Sequence, residues 1–96
     1  MEIKEYIANI YFLKSSEGGR KSDIINKDFC FRPLLHFDYK NYHVKIDFEG
    51  IELIKLGCTY KLKLRVIDLC PLEKGSIFEL KEINTIGTGE IIKVIL

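Results

Sequence analysis

YHVKIDF, residues 42–48, places Tyr42, Val44, Ile46 and Phe48 on one set of alternate positions and His43, Lys45 and Asp47 on the other. Successive side chains of a strand point to opposite faces, so this stretch reads as a strand with one face in a core and one in water. Residues 59–69 repeat the pattern, with Tyr60, Leu62, Leu64 and Val66 on one face and Lys61, Lys63 and Arg65 on the other. Upstream, residues 3–13 contain Ile7, Ala8, Ile10, Tyr11, Phe12 and Leu13, mostly side chains that suit a pleated, half-buried surface. Residues 29–37 form another candidate strand, and Pro33 inside it predicts an edge or a bulge because proline cannot donate to a ladder. Such an edge could also pair with a second copy of the chain. Residues 53–57 read as a short approach to a turn; after Pro71 and Gly75, residues 76–83 and 86–96 make a final pair of strands, with Gly87 and Gly89 in the last. No stretch sustains a 3.6-residue period, so the chain reads as all-β, a small barrel or sandwich of six strands.

With 96 residues the chain is expected to form one domain over residues 1–96. Its 15 Lys and Arg against 14 Asp and Glu leave a net charge of +1, so no general field announces a polyanion, although a local basic patch is compatible with it. Hydrophobic residues at 47% and charged residues at 30% exclude disorder as a description of the whole chain. No apolar run is long enough for a membrane span, and Glu2 and Glu5 at the N-terminus do not fit a signal peptide; a cytoplasmic protein is expected. The Lys- and Ile-rich composition points to an AT-rich bacterial genome. Cys30, Cys58 and Cys70 form neither a CxxC motif nor an even framework, and are expected to be free and mostly buried.

Four local signals then fall into a familiar order: IYFLKSSEGGRK (residues 10–21), FRP (31–33), the LGC turn (56–58), and PLEKGSIFELKE (71–82) followed by TIGTGEIIKVI (85–95). In content and spacing the chain resembles the C-terminal β-barrel domain, domain 3, of translation elongation factor Tu. The resemblance covers nearly the whole chain and implies a single six-stranded antiparallel β-barrel. Gly18, Gly19 and Gly75 would supply positive φ in turns, while Gly87 and Gly89 would leave gaps for a tight barrel corner or a close backbone approach. The family's GTP-binding domain has no counterpart here, and the chain has no GxxxxGK[ST] loop, so no nucleotide or other cofactor and no GTPase activity is expected. In the family this barrel contributes contacts to the T-stem backbone of aminoacyl-tRNA and to other translation proteins. Several of those positions differ. Leu34 follows the Arg-Pro pair where the family usually has glutamine, Cys70 precedes Pro71 where a basic residue is common, and Glu82, Ile83 and Asn84 replace a Glu-Gly-Gly-Arg turn. Losing donors and positive charge weakens the case for tracking phosphates.

Each remaining constellation has two readings. Arg20 and Lys21, with Arg32, could form a small anion-binding patch, or be solvated loop charges with Arg32 paired to a carboxylate in the barrel seam. The Lys61, Lys63 and Arg65 row could bind a polyanion, but reads better as a solvent-facing strand protected against edge pairing. His36, His43 and Cys30 lack the spacing of a structural metal site, so no metal is expected. Cys58 or Cys70 with a histidine base lacks any accompanying catalytic motif, and buried small hydrophobes account better for both. Among the aromatics around the 38–41 turn, Phe37 and Phe48 read as core and Tyr39 is left open, with base stacking as its alternative.

Two functions from different classes follow. The first is a non-enzymatic, stand-alone binding module that engages a protein partner, of the translation machinery or targeting it, through exposed strands and the loop over residues 15–28. The second is an RNA-binding module contacting tRNA or ribosomal RNA backbone through Arg20, Lys21, Arg32 and the segment Thr85, Gly87, Thr88 and Gly89. Neither reading involves a membrane or a nucleotide, and the oligomeric state stays open.

Overall fold

In a computed structural model, which describes residues 3–25, 33–48, 50–67 and 71–95, the chain forms β1 (Ile3–Phe12), β2 (Ile24–Ile25), β3 (Leu34–Phe37), β4 (Lys40–Asp47), β5 (Leu53–Ile54), β6 (Thr59–Ile67), β7 (Ile77–Lys81) and β8 (Thr85–Val94). The two alternating stretches become β4 and β6, paired antiparallel with Val44 opposite Val66 and Ile46 opposite Leu64. Because both carry their apolar side chains on the same face, pairing them makes one wall of a core. The six long strands close into an antiparallel barrel in the order β1-β6-β4-β3-β7-β8, with β8 returning to β1. Closure leaves no free edge among these strands, which removes a route to aggregation.

The interior is filled by Tyr6, Ala8, Ile10 and Phe12 of β1, Leu62, Leu64 and Val66 of β6, Leu35 of β3, Phe78 and Leu80 of β7 and Ile91 of β8, all fully or almost fully buried. Phe12 meets the ring of Tyr60 edge-on, with centroids 6.1 Å apart, a favoured aromatic arrangement. Large and small residues complement each other across the barrel. Gly89 lies opposite Phe78, and a Cβ on Gly89 would stand 2.3 Å from the ring, so the gap in β8 is occupied by an aromatic side chain.

Strand β8 also carries two irregularities. Its register shifts against β7 between Leu80 and Lys81 and against β1 between Ile7 and Ala8, leaving Ile86 and Ile92 as extra residues. Ile86 is therefore buried beside the buried Gly87, against simple alternation.

Since every neighbouring pair in the barrel is antiparallel, strand termini fall at two ends. One end carries the tip of the β3–β4 hairpin, where Asp38 and Tyr39 both take positive φ (53° and 64°) as a two-residue hairpin turn requires. Tyr39 is 95% exposed there, whereas Phe37 and Phe48 pack against the core as expected. The other end is covered by β2 and β5, which pair as a separate two-stranded ribbon, Ile24 opposite Ile54 and Ile25 opposite Leu53.

Some expectations need correcting. Residues 53–57 contain a strand rather than only an approach to a turn, since two-residue strands are too short to show a period. Pro33 precedes β3 and is buried, and β3 bonds β4 on one side and β7 on the other, so residues 34–37 offer no edge for a homodimer. Gly18 and Gly75 take positive φ, but Gly19 does not. The requirement there is space, because a Cβ would lie 2.5 Å from the Leu13 carbonyl oxygen. Cys58 is exposed, its side chain turned outward at the Gly57 turn while its carbonyl accepts a hydrogen bond from Phe12 N. Residues 29–32, including Cys30 and Arg32, and residues 68–70, including Cys70, lie outside the described residues.

Candidate functional site

The end of the barrel under the ribbon is assembled from the segment after β1, the β4–β6 connection and the β7–β8 turn. Directly after β1, Ser15–Glu17 make one tight helical turn, closed by Glu17 N and Gly19 N, which both donate to Lys14 O. Glu17 also anchors the turn through its side chain, whose Oε1 accepts from Tyr11 Oη at 2.7 Å and from Lys14 N at 2.9 Å. The Tyr11 hydrogen bond, aided by the Lys14 amide, holds the Glu17 carboxyl below the usual carboxylate range, and the same bond pushes the Tyr11 hydroxyl up. Further along, Asp23 Oδ1 accepts from Leu56 N at 3.0 Å, and Ile24 is buried with Ile54 against the barrel core. The first part of the polar stretch over residues 15–28 is thus strapped to the barrel.

A pH dependence follows. A carboxylate with a depressed folded-state pKa stabilises the fold fully above its unfolded value, about 4.3, and loses that contribution as the pH falls through the lower folded value. Glu17→Gln is expected to lower the urea midpoint at pH 7, with the difference from the unsubstituted protein closing as the pH falls below the unfolded value and through the depressed folded one. A difference that stays constant with pH would show that the charge of Glu17 does not matter to the fold.

Arg20 follows at the edge of this loop and reaches across to the β7–β8 turn. Its Nη1 lies 2.9 Å from Glu82 Oε1 and 2.8 Å from Glu82 Oε2, joining residues 62 positions apart. Arg20 is accordingly an ion-paired side chain rather than a solvated loop charge. Lys21 is exposed beside it, and together with Ile83 and Asn84 these residues line a shallow depression. The side chains of the pair are 19% and 31% exposed, so Glu82→Gln should cost only about 1 kcal/mol or less in equilibrium unfolding.

The other candidates are dispersed. Thr85 Oγ1 donates to Glu79 Oε2 at 3.1 Å, and Thr88 is half-buried on the same outer wall, opposite Tyr11 and Glu79. Gly87 and Gly89 are buried. The fold therefore brings Arg20 and Lys21 to the turn just before Thr85, and keeps the two glycines inside. Exposed aliphatic side chains, not singled out as a group from the sequence, mark this end: Ile25 at 59%, Leu53 at 41% and Ile83 at 97%. The signal for the first two was their place in a two-residue ribbon, which only pairing reveals.

On the barrel wall, Glu5 Oε2 lies 3.2 Å from both Lys63 Nζ and Arg65 Nε, so one carboxylate on β1 offsets part of the charge of the basic row on β6. The Lys63 hydrogen bond, then that of Arg65, holds the Glu5 carboxyl below the ordinary range. Among the described residues no group of His, Cys, Asp and Glu side chains is placed to hold a metal ion, and no helix is long and apolar enough to cross a membrane.

The closed barrel, its strand order and the strapped loop can be set beside known families. A family model described as "Elongation factor Tu C-terminal domain" matches residues 1–95. The chain belongs to the elongation factor Tu C-terminal domain family. The local structure of the EGGRK segment at residues 17–21 serves the fold: Glu17 ties the turn, Gly18 reverses it, Gly19 leaves room for a carbonyl and Arg20 links it to the β7–β8 turn. The elongation factor Tu C-terminal domain is a non-catalytic barrel, and membership of its family is compatible with a translation-factor-like binding module.

Proposed function

We propose that this protein is a non-enzymatic binding module that engages a protein partner of the translation machinery, or one that targets it, through the ribbon-capped end of the barrel. The observation that carries this reading is the combination of the exposed Ile25, Leu53 and Ile83 with an Arg20 already taken by Glu82. Aliphatic side chains held on the β2–β5 ribbon and the β7–β8 turn gain by covering with another apolar surface and lose little entropy when they are covered. A phosphate backbone would have to compete with the Glu82 carboxylate for the guanidinium. Lys21 remains available to a carboxylate at the rim of such an interface.

Capture from bacterial lysate at physiological salt, with and without RNase, tests this. A protein retained after RNase, and lost from the Ile25→Asp/Ile83→Asp variant, is the expected result. Recovery of tRNA or ribosomal RNA that vanishes with RNase or added salt, and falls with Lys21→Glu, would overturn it in favour of an RNA-binding module.

A further inference from the structure

The outer wall formed by β4, β6, β1 and β8 is a second face, independent of the reading above. Its cross-strand rows follow from the register. Lys45, Arg65 and Glu5 lie side by side; Asp47, Lys63, Ile7 and Lys93 form the next row; Lys61, Asn9 and Glu90 form the third. Ile7 is thus half-buried in the middle of the wall, with Lys63 on one side and Lys93 on the other. Strict alternation from the buried Ile91 would send Ile92 outward and Lys93 inward. The register shift in β8 brings both to the outer wall, where Ile7, Ile92, Lys61, Lys63 and Lys93 line one depression.

The charges around that apolar floor are unequal. Glu5 engages Lys63 and Arg65, whereas Lys61 and Lys93 form no ion pair among the described residues. We infer that this wall docks an acidic protein segment, which seats one aliphatic side chain on Ile7 and Ile92 and places carboxylates over Lys61 and Lys93. Charge complementarity selects the sign of the partner, and the aliphatic floor selects its class. A phosphate backbone offers nothing to cover Ile7 and Ile92, and isoleucine gives bases no flat surface to stack on. A peptide can instead alternate carboxylates with an apolar side chain, burying the latter at the centre and leaving ion pairs at a wet rim.

The test is an amide-resolved NMR titration of the full chain with the peptide Glu-Glu-Asp-Leu-Asp-Glu-Glu, the same peptide with Ala for Leu, and an oligouridine. The leucine peptide should shift the amides of Ile7, Lys61, Lys63, Ile92 and Lys93 saturably, and the alanine peptide should bind roughly fivefold more weakly. Lys61→Glu/Lys93→Glu, whose fold is checked by its unperturbed spectrum elsewhere, should weaken binding about tenfold or more. No saturable shift, shifts confined to other residues, equal binding of the two peptides, or oligouridine moving the same amides as strongly would each overturn the proposal. Because Ile25, Leu53 and Ile83 are absent from this wall, the Ile25→Asp/Ile83→Asp variant should keep the titration unchanged, and the two faces can fail separately.

Discussion

Gly89→Ala is expected to destabilise the protein by about 3 kcal/mol, near the upper end for overpacking, lowering the melting temperature of a domain this size by roughly 12–24 °C. The added methyl would stand 2.3 Å from the tip of the Phe78 ring and 2.8 and 2.9 Å from its flanking carbons. A surface side chain could swing away at little cost, but Phe78 is 1% exposed and enclosed by the rest of the core. Either the ring leaves a favoured rotamer or β7 and β8 part, and both disturb a close-packed interior. Phe78→Leu vacates part of the same space. Combining it with Gly89→Ala should therefore cost clearly less than the sum of the single substitutions, a coupling measured by denaturant unfolding of all four proteins. Strict additivity would mean that the ring and the glycine are not the complementary pair described.

Ile24→Ala should carry a loss of similar size, about 3 kcal/mol, because the side chain is completely buried and its removal leaves a cavity between ribbon and barrel. The two ribbon strands contain only two residues each, so the cost is expected to appear first as local opening. Amide exchange at Leu56, whose N–H is held by Asp23, should accelerate about tenfold or more at neutral pH while exchange at Leu64 in the barrel wall changes far less. Equal acceleration at both would show that the ribbon and barrel unfold as one unit. Partner capture through Ile25 should fall with the first outcome, since the ordered ribbon presents that side chain.

The barrel walls were legible because a strand's alternation is a property of neighbours in sequence. Leu62, Leu64 and Val66 had to share a face, and Lys61, Lys63 and Arg65 the other, whatever the remaining chain did. The resemblance to the elongation factor Tu barrel then closed the choice between barrel and sandwich. The candidate site was less legible. Arg20 and Lys21 stood out by charge, but the identity of Arg20's partner depends on a contact across 62 residues that no local pattern encodes. The role of Glu17 as a tie for Tyr11 and Lys14 was equally hidden, although a glutamate three residues after the start of a tight turn is the place to look for one.

By itself, then, the sequence determined where the six barrel strands run and which faces of β4 and β6 turn inward, since each rests on local period or residue type. Only the tertiary structure decided that Ile24 and Ile54 cap the barrel, that Phe78 fills the space over Gly89, that Arg20 is neutralised, and that a register shift places Lys93 beside Ile7. These features arise where segments distant in sequence meet, and their energy comes from packing and pairing that exist only once the barrel has closed.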